Sequence, residues 1–305
     1  MTTYIIRRLL LVIPVLFIVA TVTFFLMHNV PGGPFTMDRP LPPAVQRNLN
    51  HKYHLDKPVW EQYLLYLRDV LHGDFGESFA QRGRSVASII KHEFKPTAQL
   101  GIAAFLVAAV VGITLGATAA FNQNGPIDYL CVFFSTIGAS FPSFIIAAFL
   151  IILFVVKLHW FKQLGWGDLR HDVLPVISLA FLPASYISRI TRASVLEVIR
   201  QDYVRTARAK GLREIAVDLR HVLRNSLIPI LTLLGPILAG LLSGSFIIEY
   251  VFSIPGIGRE TVDSIFNRDY GVIMGTTLFY AFLIVIANLV VDILYAAVDP
   301  RIRYS

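Results

Sequence analysis

Six long stretches of this chain are nearly free of charge: Leu9 to Val30, Leu100 to Phe121, Leu130 to Val156, Val173 to Ile190, Leu227 to Ile248 and Val272 to Val298. A helix needs about 20 apolar residues to cross a hydrocarbon layer about 30 Å thick, at about 1.5 Å per residue. Each stretch meets that length. Inside a bilayer, backbone N–H and C=O groups must be satisfied internally, so such runs fold as helices. The expected architecture is an all-α membrane protein with six transmembrane helices. Composition agrees, with 15% of the 305 residues charged and 55% hydrophobic, against about 25% charged in ordinary soluble domains. A soluble enzyme and a disordered chain are both excluded on this ground.

The formal charge is +7. In a soluble protein that would raise nucleic acid as a partner, but a membrane protein gathers basic residues in its cytoplasmic connections. Placing both termini in the cytoplasm puts twelve Lys/Arg on cytoplasmic segments and five on the short external loops. That orientation is expected, with no nucleic-acid partner. The first stretch follows Arg7-Arg8 and leads into His28-Asn29-Val30-Pro31-Gly32-Gly33 without a small-x-small cleavage signal, so it reads as a retained span. Cys131 is the only cysteine, which precludes an internal disulfide or a cysteine-based metal site.

Two connections are too structured to be simple links. In the segment 31–97, Val59, Tyr63, Tyr66, Leu67, Val70 and Leu71 recur at helical spacing, which predicts an amphipathic helix at the outer surface. Between the fourth and fifth spans, residues 192–226 hold eight Lys/Arg. Here Leu212, Ile215, Ala216, Leu219, Val222 and Leu223 form an apolar stripe at i, i+3, i+4, i+7, i+10 and i+11. Asp202 is expected as an N-cap and Gly211 as a left-handed stop, giving two short helices joined at a glycine. This projection fits an inner-leaflet surface helix, a structural cap on the bundle or a docking knob for a soluble partner; amphipathicity shows that a face is buried without saying against what.

Asp202-Tyr203-Val204-Arg205-Thr206-Ala207-Arg208-Ala209-Lys210-Gly211-Leu212, with His221-Val222-Leu223-Arg224-Asn225, resembles the cytoplasmic EAA loop of permease subunits from ABC importers. It is similar above all to the oligopeptide/dipeptide/nickel branch. Arg205 and Thr206 stand where the general pattern has glutamate and alanine, His221 and Arg224 where it has isoleucine and proline, while Ala207 and Gly211 match. Further fragments resemble that branch's first, B-type permease subunit in order along the chain: Arg7-Arg8-Leu9-Leu10, His54-Leu55-Asp56-Lys57-Pro58, Gly73-Asp74-Phe75-Gly76, Pro255-Gly256-Ile257-Gly258, Asn267-Arg268-Asp269-Tyr270 and Asp299-Pro300-Arg301.

The resemblance implies a single type I ABC-importer transmembrane domain over residues 1–305, with an external segment at 31–97 and a cytoplasmic coupling loop at 192–226, in the inner (plasma) membrane. It implies import of oligopeptides or dipeptides by alternating access. The implied partners are a second homologous permease, two cytoplasmic ATPase subunits and an external substrate-binding protein. Asp202, Tyr203, Arg205, Thr206, Ala207, Arg208, Lys210 and Gly211 would form the ATPase-coupling element. The same architecture importing nickel or glutathione is an alternative, as is an ion-coupled secondary transporter, which would show inverted repeats and ion-binding acids.

No glycine is followed by lysine, so the G-x-x-x-x-G-K-[ST] phosphate loop is missing. Pro96 stands where a zinc protease with His92-Glu93 would place its second histidine. No catalytic, cofactor or metal residues are therefore assigned, and ATP hydrolysis is expected on partner subunits. Asn288 and Asp292 share a helical face in the last span, either lining a transport path or joining helices by hydrogen bonds. Glu249 is expected at a span end within reach of water, and Gly112/Gly116 and Gly240/Gly244 have the spacing of close helix contacts.

Overall fold

The computed structural model describes residues 2–30, 34–35, 42–81 and 83–298, with the side chains of 2–9, 43, 228 and 291–298 outside the described set. In chain order the helices are α1 (Thr2–Asn29), α2 (Pro43–Lys52), α3 (Val59–Leu71), α4 (Val86–Phe121), α5 (Pro126–Ser140), α6 (Ser143–Leu150, continued by a π-helical turn Ile151–Lys157), α7 (Leu169–Ile199), α8 (Asp202–Ala209), α9 (Glu214–Ala216, continued by a π-helical turn Val217–Leu223), α10 (Arg224–Leu242), α11 (Phe246–Val251), α12 (Ile257–Phe266) and α13 (Tyr270–Val298). Among the described residues the only β feature is an isolated bridge between Glu77 and Ser85.

Four helical segments are long and apolar enough to cross a membrane singly: Leu10–Asn29, Val86–Phe121, Leu169–Ile199 and Tyr270–Val290. Counting each of two bent pairs as one span gives six. The first, Pro126–Ser140 with Ser143–Lys157, turns through 109°. Its cause is local: Pro142 cannot continue α5, and it holds Phe141 extended at φ −106°, ψ 130°. The second, Glu214–Leu227 with Pro229–Leu242, bends by 53° at a proline. The fifth apolar stretch then stops at Leu242, and Gly244 turns the chain at φ +88° before α11.

The chain divides into two compact units, Met1–Lys95 with Pro255–Ile286 and Pro96–Ile254 with Ala287–Arg303. In the first, α3 packs on α1 through aromatic rings. Phe24 lies 5.3 Å from Tyr63 and 5.7 Å from Tyr66 between centroids, and the Thr21 and Tyr63 hydroxyls are 2.7 Å apart. A second core gathers Val86, Ile89, Ile257 and Val272, all nearly inaccessible. The connection at 73–85 is fastened beside it by one carboxylate. Asp269, 2% exposed, accepts from the N–H groups of Phe79 (3.0 Å), Ala80 (3.1 Å) and Val272 (3.2 Å) and from the Ser78 hydroxyl. Gly271 permits this approach, because a Cβ there would lie 2.6 Å from the Glu77 carbonyl oxygen.

In the second unit α7 is the hub, contacting α5, α6 and α10. Beside buried Leu174, Ile187 and Val195, its inward residues include the small polar Ser178, Ser185, Ser188 and Thr191. Small side chains admit close helix approach. A Cβ at Gly112 would meet the Ala184 carbonyl at 2.7 Å, and one at Gly116 would meet Thr191 Cβ at 2.6 Å. Gly240 has open space around its missing Cβ, so no close contact is made at that position. Glu249 also departs from expectation: it is fully buried, accepting from the Thr97 hydroxyl at 3.2 Å and the Ser245 N–H at 3.2 Å. These donors replace the water it was expected to reach.

Candidate coupling site

The connection between α7 and α10 forms the expected projection. Helix α8 ends at Ala209 with Lys210 as its C-cap, and Gly211 follows at φ +76°, the left-handed conformation that costs a non-glycine residue about 1–2 kcal/mol. Open space surrounds the missing Cβ of Gly211, so its requirement is conformational rather than steric. Asp202 is not the cap. Gln201 occupies that position in extended conformation, and the Asp202 carboxylate instead lies 3.5 Å from Arg205 Nη1 one turn later.

Helix α8 divides cleanly by face. Val204 and Ala207 are buried with Val195, Val217 and Val222 in one apolar cluster. Tyr203, Arg205, Thr206 and Lys210 are exposed. Arg208 is exposed too, but its guanidinium is drawn back to Glu214 at 3.2 Å. Ala207 therefore belongs to the anchor, not to the presented surface. Asn225 Nδ2 donates to the Tyr203 hydroxyl at 3.0 Å, and the Ser194 hydroxyl donates to the Ser226 carbonyl at 3.0 Å, fixing both ends of the projection.

Only the C-terminal end of the expected apolar stripe reaches the anchor. Val222 is fully buried and Leu223 packs against its cluster, whereas Ile215 is 74% exposed and Leu219 58%. Val217, outside the stripe, is fully buried too. The π-helical turn Val217–Leu223 places residues five apart on one face, so Val217 and Val222 turn inward together. A period of 3.6 residues passes over Val217.

At the base of the projection lies a bidentate ion pair. Arg192 Nε and Nη2 donate to Asp128 Oδ1 and Oδ2, each at 2.7 Å, and the Asn124 N–H donates to Asp128 Oδ2 at 2.9 Å. Asp128 is 3% exposed. This pair ties the start of α5 to α7 just before the chain enters the projection. Sequence reasoning missed it. The available signal was an aspartate in the first helical turn after Gly125-Pro126, in a connection without basic residues. Beside it, a cleft of about 610 Å³ is lined by Arg200, Arg208, Glu214 and Asp218 among others. Asn288 is exposed on α13, and the Asp292 side chain lies outside the described residues. No group of three or more His, Cys, Asp or Glu is placed to hold a metal among the described residues.

Comparison with known proteins bears on the whole chain. The family described as binding-protein-dependent transport system inner membrane component matches residues 112–304, and its N-terminal counterpart matches residues 1–101. The chain belongs to this family of transport-system membrane components. It is similar to the oligopeptide transport system permease protein OppB of Haemophilus influenzae, with 43% identity over all of both chains, and to OppB of Escherichia coli, with 42% identity over the same span. The dipeptide transport system permease protein DppB of Bacillus subtilis is 42% identical, covering 99% of this chain and 98% of that protein. Among solved structures, an inward-facing MetNI methionine ABC transporter matches with TM-score 0.58 and 16% identity over 69% of this chain and 96% of that one. A crystal structure of an amino acid ABC transporter matches with TM-score 0.55 and 15% identity over 68% and 94%. These last two establish the fold: an ABC-importer permease architecture covering about two thirds of this membrane component.

Proposed function

We propose that this chain is the permease subunit of an ATP-driven importer that carries oligopeptides or dipeptides across the inner membrane by alternating access. It pairs with a second, similar permease, two cytoplasmic ATPase subunits and an external substrate-binding protein. Both termini and residues 192–226 face the cytoplasm in this reading, residues 31–97 face outward, and ATP is hydrolysed on the partners. The peptide assignment draws support from full-length similarity to OppB and DppB.

The observation that carries the coupling role is the division of α8 into two faces. Buried Val204 and Ala207 fasten it to α7 and α10, leaving Tyr203, Arg205 and Lys210 outward. A projection held at both ends transmits a push, whereas a loose loop would absorb it. In the resting state it offers an aromatic ring and two cations to a groove on the ATPase. ATP-driven closure of the ATPases then moves α8 with α7 and α10, because Asn225 and Ser194 tie the pieces together.

Reconstitution tests the reading. The chain, co-expressed with its candidate partners and placed in nanodiscs, should yield ATP hydrolysis stimulated by peptide-loaded binding protein. Arg205→Cys should form a disulfide cross-link to an ATPase cysteine introduced in its groove. Isolation as a stable assembly without ATPase subunits, or cross-linking of position 205 only to the external binding protein, would overturn it.

A further inference from the structure

Helix α3 carries two apolar faces, and α1 covers one of them. Tyr63 and Tyr66, three residues apart, turn toward α1: the Tyr63 ring lies 5.3 Å from Phe24 and 5.3 Å from Phe25, and the Tyr66 ring 5.7 Å from Phe24. Gln62 Oε1 is 3.1 Å from His28 Nε2 on the same side. Trp60, Leu64, Leu67 and Leu71 stand at i, i+4, i+7 and i+11, which lines them up on the adjacent face. Trp60 is 63% exposed, Leu64 54% and Leu71 85%. Among the described residues nothing closes over this second face.

The place where α3 meets α1 says what does. The contact is at the end of a membrane-crossing segment, Leu10–Asn29. Phe25 precedes Asn29 by one helical turn, which is about 6 Å at about 1.5 Å per residue. Interfacial helices bury an apolar face to about 5–10 Å at the boundary of head groups and acyl chains, so α3 sits at that depth. Tyr66 meets Phe24, which is 2% exposed, whereas Tyr63, nearer the open face, also meets Phe25, which is 40% exposed. The open face of α3 therefore adjoins the open flank of the span, where Val22 and Leu26 are exposed too.

The chemistry of the face agrees with its depth. Trp60 has the amphipathic ring that gathers at membrane interfaces. The open face bears no charge, and the cations beside it are neutralised locally: Lys57 Nζ is 3.2 Å from Glu61 and Arg68 Nη2 is 2.9 Å from Asp69. A protein partner steered by charge finds none unopposed here, whereas hydrocarbon needs only apolar area.

We propose that α3 is an interfacial helix whose face of Trp60, Leu64 and Leu71 enters the bilayer leaflet at the C-terminal end of α1 and is covered by phospholipid acyl chains. The helix holds that end of α1 at the leaflet boundary through Tyr63 and Tyr66. This requires only that α1 crosses the bilayer, so its failure would leave the importer reading intact.

Spin labels read the occupant directly. The full chain, purified with the subunits that accompany it and placed in phosphatidylcholine/phosphatidylglycerol nanodiscs, carries a nitroxide at Leu64→Cys or, on the polar face, at Glu61→Cys, each in a Cys131→Ala background. Oxygen concentrates in hydrocarbon, so its collisions should exceed those of a water-soluble nickel chelate severalfold at position 64, with the order reversed at 61. Low collision with both reagents at 64 would reveal a protein partner on the face, and an oxygen-to-nickel ratio there no higher than at 61 would reveal water; either result overturns the proposal. A second measurement keeps the native cysteine. Brominated acyl chains should quench part of the tryptophan fluorescence, and Trp60→Phe should lose that component, leaving the signal of Trp160 and Trp166. An unchanged quenched fraction in Trp60→Phe overturns the proposal as well.

Discussion

Two irregular connections in this chain are held in opposite ways. The connection at 73–85 is fixed through its backbone: the N–H groups of Phe79 and Ala80 and the Ser78 hydroxyl all meet one buried carboxylate, Asp269. The projection at 200–213 is fixed through side chains, with Val204 and Ala207 inward and Tyr203, Arg205 and Lys210 outward. Backbone fixation consumes the segment's polar groups and leaves little to offer a partner. Side-chain fixation on one face leaves the other face available. The contrast separates a segment fixed throughout from one with a free outward face, which under the proposed function is the face the ATPase grips.

The strongest way to break the comparison is Asp269→Ala. It strands a hydroxyl and three backbone N–H groups in a buried site, and should cost about 4 kcal/mol in thermal unfolding of the detergent-solubilised protein. A loss below about 1 kcal/mol would mean the connection does not depend on that carboxylate. Next, Asp128→Ala leaves Arg192 without its bidentate partner, for an expected cost of about 3 kcal/mol and a lower yield of assembled complex. If the projection is anchored as described, Val217→Ala should cost about 2 kcal/mol through lost packing, whereas Ile215→Ala, on the exposed face, should stay within about 0.5 kcal/mol. Reversal of that order would restore the stripe expected from a 3.6-residue period. Gly211→Val carries strain of about 1–2 kcal/mol in the left-handed region; in the proposed assembly the variant should insert normally but leave ATP hydrolysis by the partner ATPases without matching uptake.

The smallest effect concerns Glu260, which accepts from Gln81 Nε2 at 2.5 Å beside the first connection. Burial, and then repulsion from Glu93, push its carboxyl above the ordinary range. A raised acid favours the protonated form in the folded state. Its contribution is therefore full below the ordinary carboxylate range and lost as pH rises through the raised value. Glu260→Gln should show a smaller fall in unfolding midpoint between pH 4 and pH 7 than the unaltered chain; an identical fall would assign the pH dependence elsewhere.

Much of the molecule was legible because its determinants are local. Uninterrupted apolar runs mark helices, and Gly211 sits where a short basic helix must stop. The Gly73-Asp74-Phe75-Gly76 and Asn267-Arg268-Asp269-Tyr270 fragments carried the family resemblance without revealing why they belong together. Asp269 and Ser78 are 191 residues apart in sequence, and no periodicity connects them. Val217, in the anchor of the projection, was missed for a different reason. A π-helical turn changes the repeat from under four residues to about five, and a pattern search at one period cannot see the switch. The burial of Glu249 and Asp128 escaped notice because burial of a charge depends on partners supplied by distant helices, Thr97 in one case and Arg192 in the other.

The 109° break between α5 and α6 interrupts the helical ladder where Pro142 lends no N–H. Its loose ends are partly met on the spot: the Ser140 hydroxyl donates to the Thr136 carbonyl and the Phe141 N–H to the Ile137 carbonyl, while the Pro142 carbonyl receives the Ile145 and Ile146 amides. A corner that quenches its own polar ends can be turned without help from whatever lies alongside.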